Sequence, residues 1–288
     1  MRRALPLSIA LLAVCVPIAA CSTEFDPRVD SEFYYSMWGT LDASADTQWV
    51  RIGPVRASVD PSSTPLDADV SLLRLATGGR APFRNALLTF GTGLTAPTSW
   101  TVAPVAPGET YRIDVMGPDG AETRATVRVP NDYPTPALTD GACSCPTRVT
   151  VSGVERLVDV VAIYRNVETG AIRRFSKRTS IRRQPDGTWT ADAYFGDDAV
   201  AMGADPFAPG AFEATLLVAN GTEDWPEGTL DPEDPETSVL LGDSDQIENG
   251  LGFVGGTVTK RLPFTPGFAV CPLPFGAPPE PCFERPNP

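Results

Sequence analysis

From residue 32 onward the chain reads as short runs in which apolar and polar positions alternate, separated by Gly, Pro and Asp. Tyr111, Ile113 and Val115 alternate with Arg112 and Asp114. Beyond Gly117-Pro118-Asp119-Gly120, Ala125, Val127 and Val129 alternate with Arg124 and Arg128. A period of two on both sides of a turn-forming tetrapeptide predicts an antiparallel hairpin. The runs TQWVRIGPVRASV, ADVSLLRLA, NALLTF and SWTVAPV add further strands, with Val50 and Ile52 on one face of the first. About seven short strands without a helical period predict an immunoglobulin-like β-sandwich over residues 32–131. Trp38, Trp49, Trp100 and Trp189 lie inside strand patterns and are expected in the core.

The turn-rich run NDYPTPALTDGACSCP supplies a linker at 132–147, after which strands resume. TRVTVSGV, LVDVVAIYRN, AIRRFSKRT, GTWTADAYF and FEATLLVAN predict a second β-rich domain over 148–261, and DDAVAMGA has room for one or two helical turns. The glycine-rich NGLGFVGG, Asn249 to Gly256, lacks the strand-to-helix setting of a phosphate loop; it reads as a bulged or tightly packed strand. Nine prolines from Leu262 onward exclude a regular element there. The expected fold is all-β: an N-terminal immunoglobulin-like β-sandwich, a second mostly-β domain and a disulfide-tethered, proline-rich tail at 262–288. The two halves are also compatible with one extended sheet.

Residues 1–20 begin with Arg2 and Arg3 and continue as an apolar run, the layout of a secretory signal. Pro6 and Pro17 make it a poor spanning helix. The run Ile18-Ala19-Ala20-Cys21 is similar to the lipobox of bacterial lipoproteins. That resemblance implies cleavage before Cys21, a diacylglycerol thioether on its sulfur and an acylated amino terminus. Membrane lipid is then a partner through Cys21, residues 21–31 are a tether, and Cys15 is discarded. Ser22, where Asp would imply inner-membrane retention, implies the outer membrane by the same resemblance.

The net charge is −13, and loss of Arg2 and Arg3 makes it two units more negative. Such a surface repels phosphate backbones, so nucleic acid is excluded as a partner. Histidine is absent, which removes Ser-His-Asp and Cys-His catalysis and histidine-ligated zinc. No cofactor is expected. The two lysines, Lys177 and Lys260, stand outside apolar runs. Cys143, Cys145, Cys271 and Cys282 form an even set, read as two disulfides in an exported chain. The Cys143-Ser-Cys145 spacing is too short for an easy mutual bond, so both are expected to reach the tail. A four-cysteine zinc site is the rival reading, disfavoured by the oxidising compartment and by that spacing.

Between Asp192 and Gly250 the chain carries acids and no base, most densely in TEDWPEGTLDPEDPE. Oxygen-rich loops suit calcium, yet the D-x-[DN]-x-[DN]-G frame is missing, and Pro226, Pro232 and Pro235 favour an extended loop. The basic run Arg173–Arg178 is the expected surface partner of these acids. Trp225, with Glu223, Asp224 and Glu227 around it, is a candidate partner-binding group; the alternative is an indole folded back over the sandwich edge.

The run SDQIENGLGFVGG resembles the S-N-I-x-N-G-L-G-x-F-G-G-like signature of an uncharacterised class of Gram-negative outer-membrane lipoproteins. GTLDASADTQWVRI and the ETYRIDV…DGAETRATVRVP hairpin sit where that family has its first immunoglobulin-like strands. The resemblance implies an outer-membrane address and a TonB-dependent receptor as companion, and it implies no catalytic residue. The expected role is a lipid-anchored, non-catalytic accessory or binding module. A carboxylate-dependent glycan hydrolase and a structural or adhesive surface protein are the alternatives.

Overall fold

The structure is a computed structural model and describes residues 33–55, 64–89, 95–139, 146–204, 209–225 and 246–265. Cys21, Cys143, Cys145, Cys271, Cys282 and Glu227 lie outside the described residues, as do the signal, the tether and nearly all of the tail.

The first half forms eight strands: β1 (Tyr35–Asp42), β2 (Gln48–Pro54), β3 (Asp69–Arg74), β4 (Arg80–Pro82), β5 (Arg84–Thr89), β6 (Thr95–Thr101), β7 (Thr110–Met116) and β8 (Glu122–Arg128). They stack in two layers, β1-β2-β6-β5 against β8-β7-β3-β4. In immunoglobulin lettering these are A-B-E-D and G-F-C-C′, so the half is an immunoglobulin-like sandwich. Alternation supplies the core: Met37, Leu41, Val50 and Ile52 of one layer meet Leu72, Ile113, Val115 and Val127 of the other, all buried. The β7–β8 hairpin has the expected register, with Tyr111 opposite Val127 and Ile113 opposite Ala125. Its turn closes through the Gly117 N–H donating to Ala121 O at 2.8 Å, and Gly120 takes a positive φ of 84°. Tyr111, at the start of β7, is buried, and its hydroxyl accepts the Ala106 N–H at 2.9 Å. That bond ties the loop entering strand F to the strand itself, as in the tyrosine corner of such sandwiches.

The second half repeats the plan with β9 (Ala137–Thr139), β10 (Thr147–Val151), β11 (Arg156–Asn166), β12 (Ile172–Ser176), β13 (Arg182–Arg183), β14 (Trp189–Ala193), α1 (Phe195–Met202) and β15 (Phe212–Gly221). One layer is β9-β10-β14-β13; β12, β11 and β15 lie in the other. Helix α1 occupies the corner between β14 and β15. It ends on Gly203, which takes the left-handed conformation (φ 66°) and donates to Val200 O, while the Ala204 N–H donates to Ala199 O. These bonds satisfy carbonyls that the helix end leaves open.

The last two strands, β16 (Ile247–Glu248) and β17 (Gly250–Phe264), join the halves. β17 pairs in parallel with β1 from Gly250 to Thr257, then antiparallel with β15 from Thr257 to Phe264. The result is one eight-stranded sheet, β12-β11-β15-β17-β1-β2-β6-β5. β16 pairs with β8 in the opposite layer of the first half. Residues 246–257, placed with the second half by sequence order, therefore close the open side of the first.

The glycines of NGLGFVGG follow from that position. A Cβ on Gly256 would collide with Arg128 O and lie 2.7 Å from Val129 Cα. Gly252 has φ 110°, and a Cβ there would meet Met37 O. Side chains at these positions would hold the strand off the seam. From the other side, Tyr133 is buried and its hydroxyl donates to Val218 O at 2.6 Å, with Lys260 Nζ 4.8 Å from its ring centroid.

Candidate functional site

The outward face of the long sheet carries an unexpected concentration of indoles. β-Strand pleating puts directly opposed residues on one face. Gly255 lies opposite Thr40, Thr40 opposite Trp49, Trp49 opposite Trp100, and Trp100 opposite Arg84. The adjacent row runs from Phe253 through Trp38 to Arg51. The inner face of the same strands holds the buried Met37, Leu41, Val50 and Ile52. Trp38, Trp49 and Trp100 thus face away from the sandwich core, contrary to the expectation from sequence. Trp49 is 43% exposed, and Thr40, Arg51 and Arg84 are exposed beside it. Trp189 is half-buried and packs against the core from β14, with the Arg183 guanidinium 5.8 Å from its ring.

The indoles are held in place. The Trp49 and Trp100 rings are 5.8 Å apart with 31° between their planes. The Arg84 guanidinium stacks 5.1 Å from the Trp100 centroid, a cation–π contact that fixes both side chains. Arg51 and Arg84 are both exposed, and among the described residues neither forms an ion pair.

Trp225 ends on this face too. Its ring packs edge-on against Phe253 at 5.0 Å. It fills the space above two glycines: a Cβ on Gly221 would approach its Cε3 to 3.0 Å, and one on Gly255 would reach the same atom at 2.6 Å. The indole is folded back over the junction of β15 and β17 and is half-buried. Arg156 Nη1 donates to its carbonyl at 2.6 Å. The neighbouring acids are tied to the seam. Asp224 accepts from Gln246 Nε2 at 2.8 Å and lies 3.7 Å from Arg128, and the Glu223 N–H donates to Glu155 at 3.2 Å. Arg128 in turn holds Glu155 in a two-pronged pair, with bonds of 2.9 and 2.6 Å. That hydrogen bond depresses the Glu155 carboxyl below its usual range, and Glu155 raises the Arg128 guanidinium, each opposed by desolvation. Among the described acids of the segment, Asp224 thus meets Arg128, while Asp198 alone meets the expected Arg173–Arg178 run, through Lys177. Arg178 pairs instead with Asp159 at 3.2 Å.

A second cluster sits at the helix corner. Lys177 Nζ donates to Asp198 Oδ1, and the Tyr164 hydroxyl donates to Asp198 Oδ2 at 2.7 Å. The lysine and aspartate side chains are 11% and 5% exposed. Phe175, Phe195, Phe212 and Phe264 surround Tyr164 at 5.5–6.4 Å between centroids. Burial first, then the nearby Asp198 charge, pushes the Tyr164 phenol up, so it remains a donor. Lys177 is thus nearly buried against Asp198, with its ammonium 5.6 Å from the Phe175 ring centroid, although its own segment is largely polar. Above it opens a polar cleft of about 410 Å³ lined by Ser176, Thr179, Ser180, Arg182 and Asp192. Arg182 spends donors on the carbonyls of Thr179 and Ile181, and Asp192 is paired to Arg148 at 2.7 Å. These groups serve each other and converge on no common point, so the cluster reads as a satisfied core device. Among the described residues no group of three acids, cysteines or histidines is arranged to hold a metal.

The face was partly legible in the sequence. In Trp49-Val50-Arg51-Ile52 the alternation alone puts the indole with the arginine and opposite the aliphatics. At Trp100 it misleads, because the inward neighbours Ser99 and Thr101 are polar although buried.

No protein-family model matches the chain, and no curated protein matches it in sequence. Among solved structures, a pullulanase from Anoxybacillus sp. LM18-11 overlaps it at 15% identity and TM-score 0.22, over 64% of this chain and 24% of the enzyme. This chain thus spans about a quarter of that enzyme. The N-terminal Ig1-2 module of the Drosophila receptor protein tyrosine phosphatase DLAR overlaps at 10% identity and TM-score 0.20, over 64% of this chain and 87% of that one. A tandem Ig repeat structure of Dlar gives 9% and 0.22, over 78% and 99%. Overlaps this slight transfer no property to this chain.

Proposed function

We propose that this chain is a lipid-anchored, non-catalytic binding module of the outer membrane, recognising its ligand through the indole face of the long sheet. The observation that carries the reading is Trp49: an indole 43% exposed, beside Trp100, Arg51 and Arg84, on a rigid eight-stranded sheet. Tryptophan and arginine are the side chains that most often dominate recognition surfaces. Backbone pairing on both sides of the patch presents them without a loop-ordering cost.

Anchoring is assigned to Cys21, whose acyl chains each contribute ~0.8 kcal/mol per buried methylene. The sequence resemblance names a TonB-dependent receptor as companion, which makes the module an accessory that holds ligand beside an importer. Affinity purification of the native, lipidated chain from detergent-solubilised outer membranes tests the reading, with Cys21→Ala as control. A β-barrel receptor is expected with the native chain and not with the control. Recovery of nothing specific, from a protein verified to reside in that membrane, overturns the accessory role.

A further inference from the structure

We infer that the indole face binds an acidic polysaccharide, the pyranose rings stacking on Trp49 and Trp100 and the sugar carboxylates pairing with Arg51 and Arg84. The inference rests on the binding-module reading and names the ligand class of that face.

Three observations lead to it. The first is shape. The row Thr40–Trp49–Trp100–Arg84 crosses four adjacent strands, with Trp225 seated over Gly255 at its end. At ~4.8 Å per strand spacing it is about 14 Å long, the footprint of a short oligosaccharide. It lies on a sheet face rather than in a cleft, which suits a linear chain running across it and not a compact metabolite, whose sites are concave. The second is chemistry. The row sets two adjacent indole planes between a hydroxyl and a guanidinium and has no aliphatic side chain. A pyranose offers the complement: an apolar C–H face for the indole and hydroxyls at its rim for Thr40 and the arginines.

The third is charge. The chain as a whole carries −13, yet the charged side chains of these two rows are the exposed Arg51 and Arg84, neither in an ion pair among the described residues. An anionic ligand is therefore favoured locally while the remaining surface repels it, which limits how much charge the ligand can bring. Single-stranded nucleic acid also stacks on aromatic side chains, but it brings one phosphate per base and needs a groove of cations. A polymer with sparser carboxylates satisfies both constraints. Guanidinium and carboxylate match geometrically as two parallel N–H···O bonds, so uronate is the preferred acid.

The test titrates the detergent-purified mature chain with polygalacturonate and with neutral dextran, following indole fluorescence and confirming by calorimetry. Polygalacturonate is expected to bind at least about tenfold more tightly than dextran. Trp49→Ala and Trp100→Ala should each weaken binding by about tenfold or more, the usual loss at an anchoring aromatic. Arg84→Gln should weaken it several-fold and flatten its salt dependence. Trp189→Phe, away from the face, should leave it unchanged. Because Trp49 faces away from the sandwich core and is 43% exposed, its variant should stay folded with a melting temperature close to the parent's, which separates lost binding from lost fold.

Equal affinity for dextran overturns the acidic requirement, and binding unaffected by Trp49→Ala and Trp100→Ala overturns the site. If polygalacturonate does not bind while the native chain still recovers a receptor, the ligand class fails and the accessory reading stands. If the sugar binds and no receptor is recovered, the ligand inference stands and the accessory role fails.

Discussion

The two halves of the molecule use the same strand plan and stabilise it at the corresponding corner by different means. In the first half the connection from strand E to strand F is fixed by Tyr111, whose hydroxyl takes the Ala106 N–H. In the second half the same connection is a helix, and its anchor is a buried charge: Asp198 of α1 accepts from Lys177 and Tyr164 inside a ring of phenylalanines. A neutral hydrogen bond and a desolvated ion pair thus do the same geometric job. They differ in cost of failure, since removing one neutral partner strands one polar group, whereas removing one charge strands the opposite charge.

The largest expected effect breaks the second anchor. Asp198→Ala leaves the Lys177 ammonium and the Tyr164 hydroxyl buried without their acceptor and is expected to cost about 3–5 kcal/mol in urea unfolding. The double variant Lys177→Met/Asp198→Leu should recover most of that, because apolar replacement of a whole buried pair is often neutral or stabilising. If the double variant is as unstable as the single one, the pair is doing something other than packing, and the equivalence of the two corners fails.

Next comes the seam. Gly256→Ala sets a methyl group against Arg128 O and Val129 Cα, overpacking worth about 1–3 kcal/mol. The loss should fall unevenly: amide exchange in β8 and β1 should accelerate, and that in β10 and β14 should remain slow. Uniform acceleration would mean that the halves open as one unit and that the comparison between them is one of geometry only.

These details were unevenly legible in the sequence. Strands read well where one face is core, as in β7, β8, β10 and β11, because period-two alternation needs only local information. The parallel pairing of β1 with β17 joins residues some two hundred positions apart, and no local pattern encodes a partner. What the sequence does carry is the demand of that pairing, namely glycines where another backbone approaches. The glycine run was therefore readable as a tightly packed strand but not as a bridge between halves. Lys177 was missed for a related reason: Asp198, which takes its ammonium, and Tyr164, which shares that carboxylate, come from a helix and a strand distant in the chain. The outward tryptophans were misassigned because an aromatic inside a strand is ordinarily core; on this sheet their face lies opposite the aliphatic one.

The first anchor yields a smaller effect. Tyr111→Phe keeps the ring and removes only the acceptor of the Ala106 N–H, so about 0.5–1.5 kcal/mol is expected. Measured in the same urea series, it should fall well below Asp198→Ala. A loss of equal size would show that the tyrosine corner, too, depends on more than its one bond, and the contrast between neutral and charged anchors would close.

The smallest expected effect concerns acid, and it sharpens the contrast at the junction rather than at the corners. Glu155 has its carboxyl depressed chiefly by the hydrogen bond from Arg128. A carboxyl that titrates lower in the folded chain than in the unfolded one stabilises the fold above its unfolded pKa, about 4.3. That contribution is lost as pH falls from there through the depressed folded value. The native chain should therefore lose stability on acidification below about pH 4.3, and Glu155→Gln should show a shallower acid limb with slightly lower stability at neutral pH. Because Glu155 also accepts the Glu223 N–H, two residues before Trp225, the same protonation should loosen the segment that seats this indole against Phe253. Comparing the fluorescence change on acidification with that of Trp225→Phe isolates the contribution of this indole. A change that persists in Trp225→Phe would place the acid-sensitive event elsewhere and leave the Arg128–Glu155 pair as a surface contact of little consequence.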